Sequence, residues 1–149
     1  MTRRRRTTFT ILILYALSVV AITILPIRPR PASYWTGEPW WTVFHWIPFD
    51  VDGPSFTLNV ILFVPFGVLV PLLWRPADDY RRLAARAAGS SLAIELTQLI
   101  IGLTLGSRRT VDVNDLITNT AGALLGLLLL RLAMPRAEHR AAVSPARPG

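Results

Sequence analysis

Four apolar runs, each long enough to cross a lipid bilayer, constrain this chain more than any other feature of its sequence. They cover residues 9–27, 57–74, 84–106 and 113–134. A hydrocarbon core about 30 Å thick needs about 20 residues of α-helix, because each residue advances the helix by about 1.5 Å. A helix also satisfies its own backbone hydrogen bonds, which lipid cannot do. The runs therefore predict an all-α integral membrane protein that folds as a four-helix bundle.

The composition fits a protein that consists of little besides these four runs. Of its 149 residues, 52% are hydrophobic, and the mean hydropathy is +0.42, which is high for a soluble domain. The runs predict one transmembrane domain over residues 9–134, a basic segment before it at 1–8 and a disordered tail after it at 135–149. The chain has no cysteine, so disulfide and thiol chemistry are excluded.

The arginines indicate how the runs are oriented, because basic residues concentrate on the cytoplasmic side of membrane spans. With the N-terminus in the cytoplasm, 12 of the 16 arginines fall on the cytoplasmic side, and the other four are Arg28, Arg30, Arg108 and Arg109. The first run is longer than the apolar part of a secretory signal, so we expect it to remain as the first span. We predict a multi-pass protein with both termini in the cytoplasm. Nucleic acid is not expected as a partner, since the arginines follow the span ends.

The segment between the first two runs is rich in aromatic residues. Trp40, Trp41, Phe44 and Ile47 recur at helical spacing, and indole rings favour the boundary between membrane and water. The spacing predicts a short interfacial helix over 38–47 that lies on the outer leaflet. Two roles remain open for it, as an anchor in the membrane surface or as a binding surface for a lipid headgroup or an antibiotic.

Polar residues inside the third and fourth runs fall on one stripe of each predicted helix. The third run carries Ser91, Glu95, Gln98 and Gly102 at helical spacing. The fourth carries Asp112, Asp115, Asn119, Gly122 and Gly126 in the same way. The glycines predict close helix contacts. Glu95 lies near the middle of its run, and a carboxyl at that depth is costly, so we expect it to face the protein interior or a wet cavity and to have a partner.

Depth along the helices arranges these groups into a column that descends from the outer surface to the middle of the bilayer. Gln98 and Asn119 come out at the same depth, so these two side chains can meet. The predicted ligand-binding residues of the column are Asn59, Glu95, Gln98, Arg108, Arg109, Asp112, Asp115 and Asn119. The alternatives are that Gln98 and Asn119 only join helices, and that Asp112 caps the fourth helix or pairs with a neighbouring arginine.

Three separated motifs resemble the VanZ-like family of small bacterial membrane proteins. They are NVILFVPFG at 59–67, IELTQ at 94–98 and RRTVDVNDLITNTAG at 108–122. The resemblance implies the bacterial plasma membrane as the location. The positions it carries over are Asn59, Pro65, Gly67, Glu95, Gln98, Arg109, Asp112, Asp115, Asn119 and Gly122, and either Arg108 or Arg109 can match the family arginine. The namesake of the family is linked to low-level resistance to the glycopeptide teicoplanin.

These observations favour a non-catalytic protein of the cell envelope whose outward polar pocket binds an anionic or lipid-linked headgroup. Such a protein could alter susceptibility to teicoplanin, and its partners would be membrane lipids or a lipid-linked cell-wall precursor. One alternative is a membrane-embedded enzyme that acts on an envelope lipid or cell-wall precursor. It would use Glu95, Asp112 and Asp115 as acid and base, or to hold a divalent metal through oxygen ligands. Its weakness is that His45 is expected at the interface, outside the column. A second alternative is a transporter or proton relay through Glu95. No cofactor and no metal site is predicted, and the sequence determines neither the ligand nor the oligomeric state.

Overall fold

The computed structural model describes residues 2–25, 39–50, 53–105 and 110–134. They form four α-helices, which are α1 (Arg3–Ile24), α2 (Gly53–Leu73), α3 (Tyr80–Leu105) and α4 (Val113–Ala133). By length and composition, all four are able to cross a membrane. The predicted all-α fold with four membrane helices is confirmed. The predicted tail at 135–149 lies outside the described residues.

Three of the four helices begin before the apolar runs that predicted them. The runs begin at residues 9, 57 and 84, whereas the helices begin at residues 3, 53 and 80. The first turn of a helix needs partners for its free N–H groups rather than apolar side chains. At α1 the Thr2 hydroxyl accepts from the Arg5 amide at 3.4 Å. At α3 the Asp79 carboxylate accepts from the Arg82 amide at 3.0 Å. The basic residues 3–6 therefore belong to α1.

The connection between α1 and α2 contains less helix than the aromatic spacing predicted. A single 3-10 turn covers Trp40–Val43 and is followed by a two-residue strand, β1 (Phe44–His45). β1 pairs in parallel with β2 (Val111–Asp112), which directly precedes α4, and His45 lies opposite Asp112. The helix expected over 38–47 is thus wrong beyond residue 43, because backbone pairing with a distant segment replaces local helical hydrogen bonds. We call this end of the bundle the strand end.

Helices α2 and α4 approach each other so closely that only glycine fits at the contact. A Cβ atom on Gly122 would overlap the backbone carbonyl of Val60, and one on Gly126 would overlap that of Val64. Gly67 on α2 faces α4 in the same way. The predicted close-contact role is confirmed for Gly122 and Gly126, whose partner is α2. Without a hydrophobic driving force between helices in lipid, such backbone contact supplies the van der Waals energy of association.

Helix α1 packs on the outside of this pair and meets α2 at a proline. Pro65 lacks an N–H, so the carbonyl one turn earlier loses its helical donor. Helix α2 nevertheless continues from residue 53 to 73. The Tyr15 hydroxyl of α1 donates to the Leu62 carbonyl at 2.7 Å. A side chain of α1 is therefore hydrogen-bonded to the backbone of α2 next to the carbonyl that the proline leaves without a donor.

The opposite end of the bundle, which we call the turn end, carries the link between α2 and α3. Arg131 near the end of α4 binds the Asp78 carboxylate through its Nη2 at 3.1 Å and stacks on the Tyr80 ring at 4.3 Å. Arg86 stacks on the Trp74 ring at 3.8 Å. Arg86 and Arg131 therefore act in packing, because each contacts other side chains of the protein.

Replacing Gly126 by alanine tests the α2–α4 contact. We expect Gly126→Ala to lower the free energy of unfolding by about 1–3 kcal/mol, because the carbonyl of Val64 cannot move without moving its helix. The measurement is thermal or dodecyl-sulfate unfolding of the purified protein in detergent. Gly89→Ala on α3 is the matched control: a Cβ there meets nothing within 4 Å, and a helical Gly→Ala change adds about 0.5–1 kcal/mol of stability. Equal effects of the two substitutions would refute the contact.

Candidate functional site

Glu95 is buried at the strand end of the bundle, with 2% of its surface exposed. Its Oε2 accepts a hydrogen bond from the backbone N–H of Asp112 at 3.1 Å, and its carboxyl is also hydrogen-bonded to that of Asp115. The expectation that this carboxyl faces the protein interior and has partners is confirmed. Those partners come from β2 and the first turn of α4, so the carboxyl of α3 holds the start of α4 against it.

A third helix joins this carboxyl pair. Asn59 of α2 donates through its Nδ2 to the Oδ1 of Asp115. Side chains of α2, α3 and α4 thus meet at one buried acidic point.

One helical turn further from the strand end, Asn119 of α4 reaches Ser91 of α3. The Nδ2 of Asn119 donates to the Oγ of Ser91 at 2.8 Å. Asn119 is 7% exposed and Ser91 is 1% exposed. Within the described part of the chain, the Oδ1 of Asn119 has no hydrogen-bond partner. A buried acceptor without a partner costs about 1–3 kcal/mol, so this oxygen is a place where a ligand, an ion or a water molecule would be stabilised.

Gln98 does not hydrogen-bond to Asn119, although their depths along the two helices would allow these amides to meet. The Nε2 of Gln98 donates instead to the backbone carbonyl of Thr23 at 2.7 Å. Helix α1 ends at Ile24, and the last four carbonyls of a helix lack helical donors. The end of α1 therefore offers an acceptor to Gln98 that the sequence of α3 and α4 cannot reveal. Gln98 joins α1 to α3, which is the joining role left open for it.

His45 lies between two carboxylates at the strand end. Its Nδ1 is 3.0 Å from the Oδ2 of Asp112, and its Nε2 is 3.1 Å from the Oδ2 of Asp50. The expectation that His45 stays outside the polar column is wrong, because the β1–β2 pairing places it opposite Asp112. Both ring nitrogens must donate to bind two carboxylates, and only the imidazolium does so. The hydrogen bond to Asp112, and then that to Asp50, raises the pKa of His45 above its usual value of 6.5.

Asn114 holds the segment after β1 against α4, and the sequence analysis missed it. It is 1% exposed. Its Nδ2 donates to the Ile47 carbonyl at 3.0 Å, and its Oδ1 accepts from the Phe49 amide at 2.6 Å. Phe49 has a φ of 67° and is 76% exposed, a strained backbone that its surroundings must hold. Thr118, one turn along α4, donates to the Asn114 carbonyl at 2.8 Å. Asn114 and Thr118 lie four residues apart, next to the predicted polar stripe. This spacing was the sequence signal that could have identified Asn114.

The structure therefore brings together five of the eight predicted site residues. Hydrogen bonds connect Asn59, Glu95, Asp112 and Asp115, and Asn119 lies one turn away from Asp115 on the same face of α4. Asp112 also caps α4, since its Oδ1 accepts from the Asn114 amide at 2.8 Å. Gln98 lies apart, and Arg108 and Arg109 lie outside the described residues. Among the residues described, no three or more His, Cys, Asp or Glu side chains form a group that could hold a metal ion.

Four membrane-length helices with a buried polar network at one end define a small multi-pass membrane protein. A family model, VanZ/LLP1, matches residues 12–134. The chain belongs to the VanZ/LLP1 family, which confirms the resemblance of its motifs. Protein VanZ of Enterococcus faecium is 35% identical over 75 residues, which are 50% of this chain and 43% of that protein. The match thus spans less than half of that relative. No solved structure matches the chain.

The pKa of His45 leads to a prediction about pH. A group whose pKa is raised by folding stabilises the protein fully below its unfolded value and loses this contribution as the pH rises through the folded value. We therefore expect the stability advantage of the natural protein over His45→Gln to be largest below pH 6.5 and to shrink as the pH rises above it. Thermal unfolding in detergent between pH 5.5 and 9 measures it. An advantage that grows with pH would contradict the assignment.

Proposed function

We propose that this protein is a non-catalytic component of the bacterial plasma membrane that binds an anionic or lipid-linked headgroup at its strand end. The strand end is outermost in this proposal, and both termini are cytoplasmic. Binding of the headgroup would alter the access of glycopeptides such as teicoplanin to their target at the cell surface. The observation that carries the proposal is the convergence of polar side chains from α2, α3 and α4, and from the segment after α1, at one end of an otherwise apolar bundle.

The arginine distribution supports the choice of the strand end as the outer one. The turn end and both termini carry 12 of the 16 arginines, which is the cytoplasmic pattern. The segment that contains β1 at the strand end carries exposed aromatic side chains, with Trp41 58%, Trp46 67% and Phe49 76% exposed. Tryptophan at such a position suits the membrane–water boundary, where lipid headgroups lie.

The acidic and the basic residues of the site would contact different parts of a headgroup. The described part of the site is acidic, with Asp50, Asp112 and the Glu95–Asp115 pair around His45. These groups suit the hydroxyl or amino groups of a sugar or peptide. Arg108 and Arg109 are separated from β2 by one residue, Thr110. Guanidinium groups bind phosphate with forked donors. In the proposal, they contact the phosphate of the lipid-linked group.

Binding of a polyprenyl phosphate to the purified protein tests this division. We expect the lipid to change the tryptophan fluorescence, and the polyprenol of equal length, which lacks phosphate, to bind at least tenfold more weakly. Arg108→Ala with Arg109→Ala should also cost at least tenfold, because hydrogen bonds to charged groups contribute about 1.5–3 kcal/mol each. The control pair is Arg81→Ala with Arg82→Ala, two exposed arginines on α3 at the turn end.

Equal binding of the phosphate and the alcohol, or equal losses from the two arginine pairs, would rule the headgroup proposal out.

A teicoplanin susceptibility test in cells uses the same variants. Cells that produce the natural protein should tolerate more teicoplanin than cells without it, and the Arg108/Arg109 variant should lose that difference while the Arg81/Arg82 control retains it.

Reporter fusions test the orientation. We expect a fluorescent protein fused after residue 149 to be fluorescent and alkaline phosphatase fused there to be inactive, because the phosphatase folds only outside the cytoplasm. The same reporters inserted between α1 and α2 should give the reverse result. An active phosphatase at the C-terminus would invert the proposed topology and place the strand end in the cytoplasm.

A membrane-embedded enzyme is the second candidate, and the contact between His45 and Asp112 favours it. This contact supplies a histidine–carboxylate pair, which the expected position of His45 outside the column had excluded. Both ring nitrogens are held by carboxylates, however, so a general base would first require the release of Asp50 or Asp112. Turnover of a lipid-linked precursor by the purified protein, abolished by His45→Gln and by Glu95→Gln, would establish this function instead.

A further inference from the structure

Four successive apolar residues, 46–49, form an exposed turn at the strand end, which we call the apolar tip. Trp46, Ile47 and Phe49 each expose more than half of their surface. The backbone amide of Asp50 donates to the Ile47 carbonyl at 3.4 Å, which closes the turn. As in a type II turn, the second residue is proline and the third, Phe49, has a positive φ.

The rings of the apolar tip are held in place although they contribute little to the packing of the bundle. Glycine adopts a positive φ without strain, whereas Phe49 adopts it against the steric clash of its Cβ atom. Such strain persists where the surroundings hold the backbone, and it is concentrated at functional sites. The Trp46 ring stacks on that of Phe44 in β1, with ring centres 5.0 Å apart. A strained backbone that presents an exposed ring therefore points to a partner outside the described part of the chain.

Asn114 places the apolar tip at the edge of the hydrocarbon core. Its side chain, in the first turn of α4, binds the Ile47 carbonyl at 3.0 Å and the Phe49 amide at 2.6 Å. Helix α4 has 21 residues, a length of about 32 Å, which nearly equals the thickness of a hydrocarbon core of about 30 Å. The first turn of α4 therefore lies at the boundary of the core, and the apolar tip lies beside it.

The backbone of the apolar tip meets the main condition for contact with hydrocarbon, which is that its N–H groups have partners. Pro48 has no N–H, that of Phe49 binds the Oδ1 of Asn114, and that of Asp50 binds the Ile47 carbonyl. The turn thus presents apolar side chains to lipid without an unpaired N–H at positions 48–50.

We infer that the apolar tip inserts into the edge of the hydrocarbon core of the leaflet at the strand end, where its partner is the acyl chains of the lipids. Aromatic side chains, above all tryptophan, favour this depth of the membrane. In water, the same side chains would form the kind of apolar patch that soluble proteins rarely expose. Asn114 is the positioning residue of the apolar tip. The inference requires no headgroup ligand, so it goes beyond the proposed function.

Quenching of Trp46 fluorescence by brominated lipids tests the insertion. The reporter is the full chain with Trp35, Trp40, Trp41 and Trp74 replaced by phenylalanine. It is reconstituted in phosphatidylcholine vesicles in which part of the lipid carries bromine near the start, the middle or the end of its acyl chains. We expect the strongest quenching from bromine near the start of the chain. Acrylamide, dissolved in the water, should quench Trp46 at least threefold less than it quenches free N-acetyltryptophanamide.

Two substitutions on α4 test the positioning role of Asn114. Asn114→Ala should lower the quenching by brominated lipid at least twofold and raise that by acrylamide, because the apolar tip loses its hold on α4. The control is Thr118→Val, which removes a hydrogen bond of a similarly buried side chain one turn along the helix. The Thr118 hydroxyl binds only carbonyls of α4 itself among the described residues, so Thr118→Val should leave both kinds of quenching unchanged.

A photolabelling experiment on the unaltered protein decides the matter if the reporter or the variants do not fold. A phosphatidylcholine with a diazirine near the start of its acyl chain should label residues 46–49, as mass spectrometry would show, as well as the exposed Leu58 and Ile61 of α2. Labelling of α2 without residues 46–49, or full quenching by acrylamide with none by brominated lipid, would place the apolar tip in water and overturn the proposal. Strongest quenching by bromine at the chain end, or equal effects of Asn114→Ala and Thr118→Val, would also overturn it. None of these measurements uses polyprenyl phosphate, so either proposal can fail alone.

Discussion

The cost of a carboxyl group inside a membrane protein governs the arrangement of this bundle. Glu95 lies at the middle of an apolar run, and the structure satisfies it with the amide of Asp112 and the carboxyl of Asp115. Both partners flank the start of α4, so the requirement of one side chain fixes where α4 begins relative to α3. Asn59 then ties α2 to the same point. The polar network acts as a joint among three helices that lipid alone would not hold in register.

Close backbone contact holds the same helices in a different way. Gly122 and Gly126 bring α4 against α2 at a distance that a single methyl group would prevent. This contact has no charge and should be insensitive to pH and salt, whereas the network at the strand end contains carboxyl groups and a histidine. The protein thus combines a fixed axis between α2 and α4 with a polar end whose hydrogen bonds depend on protonation.

The segment 44–50 before α2 owes its place to long-range contacts rather than to its own helix propensity. His45, between Asp50 and Asp112, and Asn114, which binds Ile47 and the Phe49 amide, hold it over the start of α4. The strained backbone at Phe49 presents an exposed aromatic ring, and Trp46 in the same segment is also exposed. A strained and exposed aromatic residue above a buried polar network is the arrangement expected of a surface that contacts lipid headgroups, which is why the proposed binding function is assigned to this end.

The sequence by itself determined the four membrane helices, the burial of Glu95 and Asn119 and the glycine contacts, because helical periodicity and the cost of polar groups in lipid are local properties of the chain. It also determined the family, because three motifs that resemble it lie within the matched residues 12–134. Only the tertiary structure decided that Gln98 binds the end of α1, that His45 joins Asp112, and that Asn114 holds the segment after β1. These contacts join residues 65 or more positions apart. No period in the sequence encodes such pairs, since they depend on which helix ends and which short strands come to lie side by side.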